Sequence, residues 1–280
     1  MHNFEITKLN IVQTVFAQCG AFYRADGPEE MRCIGETEFV NGVAAMSRSG
    51  LYGPARLCTG IFSTADLRLG NRAEDILIAH LQASSNFRGI RSAYPADLNE
   101  TFLTGFSLLE KYNLAYDNWS PDFTRLPRLA DLANKNPGVT VIVNHLGGKI
   151  DPSADEEELS VWREAIDSVA ACSNTVMKLG GAQMRVGDWE PPYHMHKADS
   201  PWDSDKFLGT LLPRYQYAFE KFGPDRCMFE SNFPVDKDCI SYRTLWNLFK
   251  KMATKLGLSE SEKMSVFSGT AARAYRLDQP

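Results

Sequence analysis

No stretch of about 18 apolar residues occurs in this 280-residue chain, so no membrane-spanning helix is expected. There is no basic excess either. Thirty Lys and Arg stand against 35 Asp and Glu, a net charge of -5, which argues against a nucleic-acid surface. The six cysteines (Cys19, Cys33, Cys58, Cys172, Cys227 and Cys239) contain no C-x-x-C pair. In a chain too long for a disulfide scaffold they read as free thiols of a reducing compartment, and the expected location is the cytoplasm. The opening residues, MHNFEITKLN, have neither a basic start nor an apolar core, so no secretory signal is expected. Neither G-x-G-x-x-G nor G-x-x-x-x-G-K-[ST] follows an apolar run, which leaves nucleotide binding without support. No repeat, linker or composition shift divides the chain, so one domain over residues 1–280 is expected.

What is present is a regular alternation of strand-like and helix-like segments. The strands are expected at Asn10–Gln18, Arg56–Phe62, Phe87–Ser92, Leu114–Trp119, Thr140–Val143, Asn174–Leu179 and Arg226–Glu230. Between them, apolar residues at helical spacing predict helices over Ala73–Ala83, Thr101–Lys111, Pro127–Asn134, Leu159–Ala171, Lys206–Lys221 and Tyr242–Leu256. Pro213 is expected near a helix start or at a bend. The acidic run Asp155–Glu158 suits a helix N-terminus better than a metal cluster. Ser259 and Glu262 have capping-box spacing, and a short terminal helix is expected over Thr270–Leu277. Ala21–Phe39 reads as a long loop, followed by a short helix over Phe39–Ser47. Such an alternation implies a parallel sheet with right-handed crossovers, either barrel-like or doubly wound.

The stretch TVIVNHLGG, Thr140–Gly148, focuses the functional reading. Its apolar run ends in Asn144 and His145 and is broken by two glycines. Parallel α/β folds place ligands and chemistry at that end of a strand. A structural histidine bonded to a loop is the other reading. His80 lies inside a helical pattern and reads as a helix-face residue.

Several stretches, taken in order, resemble the amidohydrolase-related family of TIM-barrel metal-dependent hydrolases, especially its lactonase-like and dicarboxylate-hydrolase members. They are FRGIR at Phe87–Arg91, VNHLGG at Val143–Gly148, MKLGG at Met177–Gly181, FGPDRCMFESNFP at Phe222–Pro234 and SGTAARAY at Ser268–Tyr275. The resemblance runs from about Asn10 to Leu277 and implies a (β/α)8 TIM-barrel-like fold. In that frame the first strand here matches the family's second. The family's opening strand, with its H-x-H pair of metal or water ligands, then has no counterpart, since His2 stands alone.

The resemblance also implies roles. His145 falls where the family binds metal or polarises a substrate carbonyl. Asn232 falls where many members carry the aspartate of a G-S-D-x-P pattern, the base for the attacking water. An amide cannot take that proton, so Asp236, four residues on, becomes the candidate replacement; its other reading is a solvent-exposed loop carboxylate. Arg91 resembles an anion-holding arginine, with pairing to a nearby acid as the alternative. Lys178 is a candidate to point inward. Tyr23, Arg24, Glu36 and Glu38 are candidates to shape the pocket. His194 and His196 have metal-ligand composition and offer a replacement pair for the absent H-x-H.

The expected activity is hydrolysis of a lactone or similar cyclic ester bearing a carboxylate. A divalent metal, Zn or Mn, is the candidate cofactor, a small anion the expected substrate, and a homodimer the expected assembly. Two alternatives stay open: a related decarboxylase, and an inactive barrel that binds small anions or a protein.

Overall fold

Each strand-like run of the sequence forms a strand, and all seven join one parallel sheet. The computed structural model describes residues 10–92, 94–95, 98–151, 154–182, 184 and 202–278. The strands are β1 Gln13–Ala17, β2 Arg56–Ser63, β3 Phe87–Ser92, β4 Ala115–Asn118, β5 Val141–Val143, β6 Thr175–Leu179 and β7 Cys227–Phe229. They lie in the order β1-β2-β3-β4-β5-β6-β7, every neighbouring pair parallel. A doubly wound sheet reverses its strand order at a switch point. This sheet never does, so the strands advance in one rotational sense, as in a TIM-barrel-like fold. Among the described residues β7 and β1 do not pair with each other.

Helices follow the strands; most cover the outer face, while the last puts Ala274 against the inward one. They are α1 Ile34–Arg48, α2 Ala73–Ala83, α3 Glu100–Lys111, α4 Leu126–Lys135, α5 Glu156–Ala170, α6 Ser204–Phe222, α7 Tyr242–Lys255, α8 Glu260–Met264 and α9 Thr270–Ala274. Asp155 begins α5, its side chain accepting from Glu158 N at 2.9 Å, so the acidic run is a helix start. Ser259 and Glu262 form the capping box. Pro213 lies well inside α6 instead of near its start, and the helix continues through it.

The stretch expected to be a loop through Phe39 is already helical from Ile34. Its polar residues face inward for a reason. The buried Glu36 carboxylate accepts the backbone N–H groups of Cys19 at 3.0 Å and Ala21 at 3.1 Å, tying α1 to the loop after β1. His80 is buried on α2, bonded to Thr37 Oγ1 at 2.8 Å and Thr64 O at 3.0 Å. Burial lowers its imidazole to about 4 and raises the neighbouring Cys33 thiol to about 11. The two are therefore neutral packing groups and not a thiolate pair.

Strand alternation sorts side chains between the two faces. Ile61, Ile90, Tyr116, Val141, Val143, Met177, Cys227 and Phe229 belong to the large core under the helices. Phe62, Ala115, Ile142 and Met228 form a second apolar cluster, joined by Val15 and Val176. That second cluster is the inward face of the sheet. Two residues further along the same strands stand Asp117, Asn144, Lys178 and Glu230. The fold thus stacks a polar inward layer on an apolar one, at the C-terminal end of the strands.

Candidate active site

The polar layer holds two linked groups of side chains. The first centres on Asp117, which is fully buried. Arg91 Nε donates to its Oδ1 at 2.7 Å, Asn144 Nδ2 donates to the same oxygen at 2.6 Å, and Lys178 Nζ donates to its Oδ2 at 2.8 Å. Asn144 is fixed further by Arg91 Nη2, which donates to its Oδ1 at 3.1 Å, and by its own bond to Asn118 O. Burial alone would raise the Asp117 carboxyl. Lys178 and then Arg91 outweigh it and hold the group well below the usual carboxylate range. Burial likewise opposes the charge on Lys178, and Asp117 reverses that, raising the ammonium above its ordinary value.

The second group centres on Glu230, just past β7. His145 Nδ1 stands 2.6 Å from Glu230 Oε1, and Lys178 Nζ lies 3.7 Å from Glu230 Oε2. The His145–Glu230 approach is close but poorly aligned, so neither atom has a well-formed hydrogen bond among the described residues. Burial would raise the Glu230 carboxyl; His145 and then Lys178 lower it overall. Trp119 meets the His145 ring edge-on at 4.7 Å.

Asp236 completes this group. It is 1% exposed, so the solvent-exposed reading is replaced. Asn232 Nδ2 donates to its Oδ1 at 2.7 Å and the Gly181 backbone N–H faces the carboxyl, while Oδ2 has no well-formed hydrogen bond among the described residues. Burial pushes its carboxyl up to about 8; the Asn232 bond opposes this and the Glu230 charge adds to it.

Local backbone explains why these residues meet. His145, Leu146 and Asn232 all have positive φ, at 52°, 56° and 45°, conformations that cost a non-glycine residue about 1 to 3 kcal/mol each. Gly180 and Gly181, which end β6, give the two key side chains room. A Cβ on Gly181 would lie 2.1 Å from His145 Nδ1, and one on Gly180 would lie 2.3 Å from Glu230 Cγ.

Arg91, Lys178, His145, Asn232 and Asp236 are thus brought together. Arg91 is held by an acid, as one alternative had it, yet no described residue takes its Nη1. Tyr23 lies nearby on the loop after β1. It lines a cavity of about 410 Å³ together with Cys33, Thr64, Leu67, Ser92 and Phe102. Arg91, Lys178, His145, Glu230 and Asp236 do not line that cavity. Arg24 points elsewhere, into an exposed ion pair with Glu38. His194 and His196 lie outside the described residues. Asp117 and Glu230 were not among the expected site residues. Their signal was the two-residue step beyond an inward apolar residue on each strand.

A profile of the amidohydrolase family matches residues 49–277. The chain belongs to the amidohydrolase family. The protein y4mH of Sinorhizobium fredii (strain NBRC 101917 / NGR234) is 33% identical over 257 residues, covering 87% of this chain and 75% of that one. L-fucono-1,5-lactonase of Burkholderia multivorans (strain ATCC 17616 / 249) is 28% identical over 64% of this chain. L-rhamnono-gamma-lactonase of Scheffersomyces stipitis is 22% identical over 63% of it. The matches span 57% and 53% of those two lactonases. A crystal structure of a Burkholderia multivorans amidohydrolase with bound zinc superposes with a TM-score of 0.67 at 24% identity, covering 87% of this chain and 79% of that one. It supports the TIM-barrel-like fold.

The donor set of a divalent metal is a separate matter. His145 and Glu230 converge, but among the described residues no third His, Cys, Asp or Glu joins them in a metal-holding group. These residues do not by themselves fit a metal, which in such sites takes three or more protein ligands.

Proposed function

We propose that this amidohydrolase-family chain hydrolyses a lactone or similar cyclic ester, with His145, Glu230 and Asp236 carrying the proton transfers. The observation that carries the proposal is the close His145–Glu230 pair beside Asp236, whose burial pushes its carboxyl up to about 8. Two lactonase relatives support the reaction class.

In this reading His145 takes the proton of the attacking water. The Glu230 carboxylate stabilises the positive charge that develops on the imidazole, as a carboxylate behind a catalytic histidine does. Asp236 is a hydrogen-bond donor at neutral pH and not the base. As the ring C–O bond breaks, it passes its proton to the departing ring oxygen. Asn232, which cannot take a proton, orients Asp236 through the 2.7 Å bond. Arg91 and Lys178 supply positive potential, and the open Nη1 of Arg91 can take one substrate oxygen, from a carboxylate or a hydroxyl. The zinc of the Burkholderia relative makes Zn or Mn a cofactor to assay, and no step here is routed through it.

The test is a panel of aldonolactones and carboxylated lactones incubated with purified protein, together with elemental analysis. Hydrolysis that disappears in His145→Gln supports the proposal. Hydrolysis unchanged in His145→Gln, or no hydrolysis across the panel with metal supplied, overturns it. Release of carbon dioxide from an aromatic acid would favour the decarboxylase reading instead. A 5-carboxyvanillate decarboxylase shares the fold at 14% identity and a TM-score of 0.53.

A further inference from the structure

The C-terminal segment reaches into the inward face of the sheet. After α9, Tyr275 is 2% exposed and packs with Phe62, Ala115, Ile142, Met228 and Ala274, the apolar layer directly under the site. Its ring meets Phe62 edge-on at 5.0 Å. Leu277 follows, close enough to Gly60 that a Cβ there would lie 3.0 Å from it. Reciprocal bonds hold the segment in place: Arg276 Nη2 donates to Arg88 O at 3.2 Å, and Arg88 Nε donates to Arg276 O at 3.3 Å. Gln13 Nε2, at the start of β1, donates to Asp278 O at 2.8 Å.

Tyr275 is the member of this segment that touches the polar layer. Lys178 Nζ lies 5.6 Å from its ring centroid, within cation–π range. Its buried hydroxyl also faces Lys178, without a well-formed hydrogen bond among the described residues. Among the described residues Lys178 joins both groups of the site, through Asp117 at 2.8 Å and Glu230 at 3.7 Å. A flexible four-carbon stem needs packing to keep such a geometry.

We propose that Tyr275 is a positioning residue: its ring, delivered by the C-terminal segment, holds Lys178 up against Asp117 and Glu230, so the segment forms the floor of the site. Tyr275→Phe keeps the ring beside Lys178, and Tyr275→Leu or Tyr275→Met does not.

Amine-reactive labelling of the native protein, read lysine by lysine by mass spectrometry, tests this without reference to any reaction. Lys178 is expected to react far more slowly than the exposed lysines in the wild type and in Tyr275→Phe. In Tyr275→Leu its rate is expected to rise roughly tenfold or more, as for a locally opened site. Leu277→Ala is the control. It loosens the same segment but removes no contact with Lys178, and it is expected to leave the Lys178 rate within about twofold of wild type. Should Tyr275→Leu fail to fold, Tyr275→Met carries the same expectation. A Lys178 rate unchanged in the Tyr275 variant, or raised equally in Leu277→Ala, overturns the proposal. A second readout rests on the lactonase reading: Tyr275→Leu lowers kcat with KM little changed, and Tyr275→Phe restores it. Absence of any lactonase activity in the wild type counts against that reading alone, because the labelling result stands apart from it.

Discussion

The two groups of the polar layer differ in how well they are satisfied. Around Asp117, both carboxylate oxygens are bonded, Asn144 uses both ends of its amide, and two cations oppose one buried anion. Around Glu230, three buried polar atoms (His145 Nδ1, Glu230 Oε1 and Asp236 Oδ2) lack well-formed bonds. His145 and Asn232, which belong to this group, also have positive φ. A saturated network fixes geometry, and leaving it incomplete would be costly. Groups held close but unsatisfied, on strained backbone, are what a reacting site requires. On the proposed function, holding falls to the Asp117 side and proton transfer to the Glu230 side.

The contrast can be broken most severely at Asp117. Asp117→Ala leaves Arg91 and Lys178 facing each other without their shared anion, and is expected to destabilise the fold by about 3 to 5 kcal/mol. Urea unfolding measures it, and a loss below about 1 kcal/mol would deny that this side is the structural one. On the other side, His145→Gln is expected to lower kcat by roughly 10²- to 10⁴-fold while stability changes little. Glu230→Gln keeps the shape but removes the charge behind the imidazole. Its kcat is expected to fall less than that of His145→Gln, and an equal or larger fall would make Glu230 the primary base.

Asp236 gives a pH-dependent effect with a definite sign. Its folded-state value of about 8 lies above the ordinary value near 4. Between those limits the folded state keeps a proton that the unfolded state has lost. Stability therefore falls as pH rises from about 4 to about 8, by at most about 1.4 kcal/mol per pH unit, and levels off above. Asp236→Asn should flatten that slope in urea titrations across the range. The smallest effect is expected at Arg24, whose partner Glu38 is also exposed. Arg24→Ala should change stability by less than about 1 kcal/mol and leave lactone hydrolysis untouched.

Much of this was legible in the sequence. The seven strands were found because each is a short apolar run closed by turn residues, and α2 and β3 match to the residue. His145 stood out because two glycines follow a buried strand. α1 was started late because Ala21–Phe39 is rich in Gly, Pro, Arg and Glu and reads as a loop, while in the fold Glu36 and Thr37 are fully buried. Asp117 was passed over because an acid inside the run LAYDNW carries no turn or motif signal; only the inward period of two marks it. The role of Glu230 depends on Gly180 and Gly181 giving room beside it, a contact between β6 and β7 that no local pattern encodes. Asp236 seemed exposed because it sits in a polar loop, and its burial comes from tertiary packing.

The most direct test is the pH dependence of kcat/KM for a hydrolysed lactone, corrected for spontaneous hydrolysis, in the wild type and in Asp236→Asn. With a protonated Asp236 as the donor, the wild-type value falls as pH rises through about 8, and that fall is absent from the variant. A wild-type value that rises through the same range, or a variant with the same profile, would contradict the assignment of proton transfer to the Glu230 side.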